Sequence, residues 1–216
     1  MLLSKNIQRY MGIPVKKGIA LTTWINLLII GSFTAYFLIK GNWEFLVYAC
    51  TVGVLIFIIE KTDRIFNYFN LAKIGFSIWL FLHFSGGAFK IAGTKLYDTV
   101  LIPIIGEPFN ILRYDQIIHG YCYFVITLFM YSIVLYISDK KANKFLIGLI
   151  TVLAGASIGA INEIIEFSTV VFFDAGEAVG GYYNNALDLV FNFIGAIIAV
   201  LFIVPRNQKH LETKPS

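Results

Sequence analysis

Apolar residues run along this chain in long blocks, with neither the period of an amphipathic surface helix nor strand-like alternation. The blocks cover residues 18–39, 45–59, 74–89, 116–138, 145–173 and 189–205, and the fifth carries Glu163 and Glu166 within it. A hydrocarbon core about 30 Å thick needs about 20 helical residues, so the pattern predicts six transmembrane helices, the shorter blocks drawing on polar flanks. The expected fold class is an all-α polytopic membrane protein, a single six-helix bundle over 18–205 between a basic tail, 1–17, and a second tail, 206–216. The first block is longer than the apolar region of a secretory signal and runs on through Tyr36 and Phe37, so it is read as a helix that stays.

Composition agrees. Of 216 residues, 58% are hydrophobic and 14% charged, outside the range of soluble globular domains. Cys50 and Cys122 both fall inside predicted spans without a metal-knuckle or disulfide-framework spacing, so they say nothing of the redox compartment.

In a membrane protein the placement of Lys and Arg carries more information than the net charge of +4. Lys5, Arg9, Lys16, Lys17, Lys61, Arg64, Lys73, Lys140, Lys141, Lys144, Arg206, Lys209 and Lys214 fall on one side of the six spans, and only Lys40, Lys90, Lys95 and Arg113 on the other. The positive-inside rule then puts both termini in the cytoplasm of a bacterial or archaeal cell membrane. The charge reads as topology, with the lipid bilayer as partner and no nucleic acid. One outer loop, 91–112, is long and partly apolar, and Pro103 and Pro108 discourage a continuous helix in it. It fits either an interfacial flap over the outer mouth or an ordinary loop with an apolar patch packed on the bundle.

With this orientation the polar residues of the later helices fall in one outer layer. Arg113, Asp115 and His119 enter with the fourth helix, and Asp115 and His119, four apart, share a face. Glu163 lies about 27 Å along the fifth helix from Phe145, with Glu166 one turn beyond. Asn184, Asp188 and Asn192 form a stripe on the sixth. "HFSGG" in the third adds His83, set deeper and followed by Gly86 and Gly87, which either loosen the backbone or admit a close neighbour. Gly155 and Gly159, at steps of four before Glu163, form a small-residue face that points the glutamates into the bundle. An acidic residue at mid-membrane costs about 2.5–3.5 kcal/mol, so the carboxylates need local partners. Histidine, Arg113, a bound proton or a divalent metal ion would serve. Glu-x-x-Glu with Asp-x-x-x-His is compatible with a metal without being diagnostic.

Each feature also has a plainer reading. Glu163 and Glu166 fit snorkelling carboxylates, and Asp115 with His119 fits a structural pair at a helix start. Asn184 and Asn192 fit interhelical glue, His83 a satisfied core histidine and Cys122 core filling.

Asp115 and His119 opening one helix, Glu163 and Glu166 late in the next, and Asp188, Asn192 and Gly195 in the last resemble the motifs of VanZ-like membrane proteins, and most nearly of the YjdF-like ones. The resemblance spans about 71–204. It departs at Gln116, where VanZ-like proteins often have Lys, and at Glu166, where they often have Gln. It implies an envelope context, since VanZ-like proteins are associated with glycopeptide-antibiotic resistance, and it implies little chemistry.

Two functions from different classes follow. In one the chain is a membrane-embedded enzyme acting at the outer leaflet on a lipid or lipid-linked envelope substrate. There Glu163 or Glu166 is the base, His119 the acid or a metal ligand, Asp115 and Asp188 orienting or coordinating groups, and Arg113, His83, Asn184 and Asn192 substrate contacts. In the other it is a proton- or cation-coupled carrier, or a lipid- or partner-binding protein without chemistry.

Overall fold

The computed structural model describes residues 21–139, 142–173 and 181–212. Six helices in it are long and apolar enough to cross a membrane. They are α1 (Leu21–Lys40), α2 (Trp43–Phe66), α3 (Asn70–Ala88), α4 (Tyr114–Ile137), α5 (Lys144–Phe173) and α6 (Tyr182–Glu212). Each contains its predicted block apart from a residue or a few at the ends. α2 extends past its block through Glu60 to Phe66, and α6 starts seven residues before its block and continues through Pro205. The predicted tail 1–17 lies outside the described residues, as do Lys140, Lys141 and Lys214.

Many large apolar side chains on these helices are exposed, among them Leu28, Val47, Phe57, Ile164 and Leu201. In water such a surface would aggregate; against lipid it is the expected exterior.

Two packing groups meet at α4. Helices α4, α5 and α6 form one tight unit, while α1, α2 and α3 pack together and α3 joins them to α4. The first group is packed by rings, Phe37 stacking on Phe45 at 4.7 Å and Phe33 on Phe84 at 5.4 Å, and at the seam the Phe129 ring of α4 meets Tyr68 edge-on at 4.8 Å. Helix ends are capped locally. Asn143 Oδ1 accepts from Phe145 N at 2.9 Å at the start of α5. At the start of α4, Gln116 Oε1 accepts from the backbone N–H of Leu112 at 2.7 Å and of Arg113 at 3.1 Å. The short α2–α3 connection turns at Asn67 in the left-handed region, and Asp63 braces it by accepting from Tyr68 N at 2.8 Å and Lys73 Nζ at 2.9 Å.

The α3–α4 connection is a structured loop. Lys90–Ile91 (β1) and Thr94–Lys95 (β2) form an antiparallel hairpin around Ala92 and Gly93, both at positive φ as a two-residue turn of matching twist requires. Tyr97 then plugs back onto α3, donating from Oη to the His83 carbonyl at 2.8 Å, with its own N–H on the Gly86 carbonyl at 3.2 Å. Gly86 and Gly87 therefore serve close approach: a Cβ at Gly86 would come 2.7 Å from the Tyr97 ring, and one at Gly87 would overlap Phe45. Farther along, Leu101, Ile102, Ile104 and Ile105 are exposed, so most of the apolar patch of this loop is not packed on the bundle. Phe109 reaches the Tyr183 ring at the start of α6, 5.2 Å away.

Candidate functional site

Three helices bring polar side chains to the end of the bundle that carries this loop. Asp115 and His119 come from the first turns of α4, Glu163 from late α5, and Asn184, Asn185, Asp188 and Asn192 from the first turns of α6. Small residues make the meeting possible. A Cβ on Gly159 would sit 3.0 Å from Asn192 Cβ, and one on Gly195 would overlap the Gly120 carbonyl oxygen, so α6 lies directly against both α5 and α4.

Glu163 is the buried hub, 3% exposed. Its Oε1 accepts from Asn192 Nδ2 at 2.8 Å and lies 3.3 Å from His119 Nδ1, and its Oε2 accepts from Asn185 Nδ2 at 3.2 Å. The other ring nitrogen of His119, Nε2, stands 3.6 Å from Asp115 Oδ1. Asn184 bridges the carboxylates, donating to Asp188 Oδ2 at 2.6 Å with Asp115 Oδ2 at 3.2 Å. The α6 residues thus divide by helical spacing: Asn184 and Asp188, four apart, reach toward α4, and Asn185 and Asn192, seven apart, reach Glu163 on α5.

Exposure is graded through this cluster. Asp188 and Glu163 are buried, whereas the side chains of Asp115 and His119 retain 19% and 15% of their surface. Asp115 and His119 are therefore the less enclosed members of the cluster. Away from that end the α4–α6 contact is apolar, with Val125, Leu128, Ala196, Ala199 and Ile203 buried. The hydroxyls of Thr127 and Ser132 on α4, and of Thr151 on α5, are satisfied by carbonyls of their own helices.

Six of the nine anticipated site residues, Asp115, His119, Glu163, Asn184, Asp188 and Asn192, join in one network. Glu166 accepts from Asn162 on its own helix at 2.9 Å, one turn from Glu163. Arg113 flanks the cluster, its Nε buried and without a hydrogen-bond partner among the described residues. His83 stands apart in an aromatic box, its Nδ1 2.5 Å from Tyr97 Oη and its ring stacked on Trp79 at 5.1 Å. The sequence reading missed Asn185 and Asn162. Asn185 had a signal, its seven-residue spacing from Asn192, and Asn162 had another, its four-residue spacing before Glu166.

One donor atom each from Asp115, His119 and Asp188 lie within 4.8 Å of one another, a separation that a metal ion could span.

Comparison with curated proteins finds no match, and comparison with solved structures finds none. The family model described as "Predicted membrane protein (DUF2238)" matches residues 17–209, nearly the whole chain, and the chain belongs to that family of integral membrane proteins.

Proposed function

We propose that this chain is a membrane-embedded enzyme of a bacterial or archaeal cell membrane, acting at the outer leaflet on the headgroup of a lipid or lipid-linked envelope substrate. The orientation rests on the asymmetry of Lys and Arg, which puts both termini in the cytoplasm and the polar cluster at the outer end. One observation carries the chemistry: an imidazole and a carboxylate 3.3 Å apart, the carboxylate buried and held by two asparagine amides, the imidazole still partly exposed. That is the arrangement of a proton-transfer group with an orienting partner. Both Glu163 oxygens are engaged, so we assign Glu163 to hold and polarise His119, and His119 to move the proton. Glu166 is the second carboxylate able to accept one. Asp115, Asp188 and Asn184 orient the reacting group, and Arg113, with a guanidinium nitrogen unpartnered among the described residues, receives an anionic headgroup. The VanZ-like and YjdF-like order of these residues supports an envelope substrate.

The one-sided polar layer favours this reading over an alternating-access carrier, whose site needs a path to both faces. The test is a lipid comparison. Cells lacking the protein, complemented with wild type, His119→Ala or Glu163→Gln, are extracted and their envelope lipids profiled. A headgroup change restored by wild type and by neither variant, at equal membrane abundance, is the expected result. Wild-type profiles from both variants would remove the catalytic assignment.

A further inference from the structure

We infer that Asp115, His119 and Asp188 form a binding site for a divalent transition-metal cation of the zinc, manganese or iron type. The binding of that cation does not rest on the proposed function; its use in catalysis does, and with the cation bound His119 serves as a ligand and Glu166 takes over as the proton-accepting group.

The His119 tautomer comes first. Nδ1 faces Glu163 Oε1 and Asn192 Oδ1, each at 3.3 Å. The Asn192 amide is oriented by its 2.8 Å bond from Nδ2 to Glu163, so both neighbours of Nδ1 are acceptors and Nδ1 carries the proton. The Nε2 lone pair is then left toward Asp115. Its 3.6 Å distance from Asp115 Oδ1 is too long for a hydrogen bond. It is close to the spacing of about 3.3 Å between two donors on a tetrahedral ion with bonds of about 2.0–2.1 Å.

A second observation is independent of the first. Asp188 is fully buried; Asn184 satisfies its Oδ2, but its Oδ1 has no hydrogen-bond partner among the described residues. A buried carboxylate oxygen without a donor is expensive, and a cation removes that cost. Two aspartates also balance a divalent charge in a place where charge imbalance is penalised.

The surroundings match what metal-bound histidine ordinarily needs. Glu163 accepts from the far side of the ring, as the carboxylate behind a metal-ligating histidine does, and Asn185 and Asn192 fix that carboxylate in turn. One nitrogen with two carboxylates and no thiolate suits zinc, manganese or iron(II) better than calcium, which prefers six to eight oxygens. Three protein ligands leave a coordination position for water or a substrate oxygen on the exposed side of Asp115 and His119.

The test needs no substrate. Full-length protein in detergent is stripped with EDTA and titrated with Zn²⁺, with Co²⁺ absorption reporting geometry. We expect one equivalent per chain and a higher unfolding temperature, since a ligand bound only by the folded state stabilises it. Asp188→Asn, which keeps the volume, should weaken Zn²⁺ binding by at least about 100-fold and Glu163→Gln by about tenfold, while loop Asp98→Asn leaves it unchanged. Wild-type protein that neither binds an equivalent nor gains stability overturns the site, and this readout does not depend on any variant folding. Affinity that survives the Asp115→Asn, Asp188→Asn double change also overturns it. Stoichiometric Zn²⁺ without any lipid change in cells would leave the site standing and remove the enzymatic reading alone. A lipid change with no Zn²⁺ bound would do the reverse.

Discussion

Asn192 donates its amide to Glu163 at 2.8 Å while its carbonyl oxygen lies 3.3 Å from His119 Nδ1, so one side chain of α6 ties α5 to α4 at the centre of the polar cluster. The amide serves both partners because it carries a donor and an acceptor on separate atoms.

Asn192→Leu should therefore leave Glu163 and His119 each short of a partner. Interhelical hydrogen bonds within membranes contribute about 0.6–2 kcal/mol each, and two contacts are lost, so the expected cost is about 1–4 kcal/mol. Asn192→Asp places a second carboxylate against Glu163 and should cost more. Thermal unfolding of both variants in one detergent orders them; an Asp variant more stable than the Leu variant would contradict the donor role.

Gly195→Ala should disrupt the α4–α6 contact, because the added methyl meets the Gly120 carbonyl, a backbone atom that cannot rotate aside. Overpacking of this kind costs about 1–3 kcal/mol. The control is Gly31→Ala in α1, where nothing lies within 4 Å and the change should be neutral or slightly stabilising. Equal unfolding temperatures for the two variants would mean that α6 does not sit against α4 at this point.

Tyr97 anchors the α3–α4 loop, so Tyr97→Ala should free the hairpin at 90–95 for trypsin cleavage at Lys90 and Lys95. Tyr97→Phe keeps the ring against Gly86 and loses only the hydroxyl contacts with His83, a change of about 1 kcal/mol. The phenylalanine variant should digest at a rate near wild type. Rapid cleavage of both would assign the anchoring to the hydroxyl and not to the ring.

The exposed apolar run Leu101–Phe109 should lie in the membrane interface, where its side chains leave water without needing contact with the bundle. A nitroxide at Ile104, in nanodiscs and with Cys50 and Cys122 replaced by Ser, should be relaxed more by oxygen than by a water-soluble nickel chelate. The opposite ratio would put the loop in water.

Much of this architecture was legible from residue order. Long apolar blocks can bury their backbone polar groups in lipid only as helices, so six blocks imply six spans. Within one helix, spacing also reveals which residues share a face, which is how Asp115 with His119 and Asn184 with Asp188 could be read together. The predicted grouping still erred in detail. His83, expected to line the same recess, bonds to Tyr97 from a loop 14 residues on, and Asn185, which the sequence reading passed over, holds Glu163.

Those details depend on how each helix is rotated against its neighbours and how closely the pair can approach. Rotation and distance are settled by contacts between distant parts of the chain, such as Gly195 against Gly120 and Gly159 against Asn192. Hydropathy and helical spacing describe each span separately, which is enough to say that it crosses the membrane and which side chains share a face. That Nδ1 of His119 meets Glu163 while Nε2 is turned to Asp115 is a property of three helices packed together, and it was decided only there.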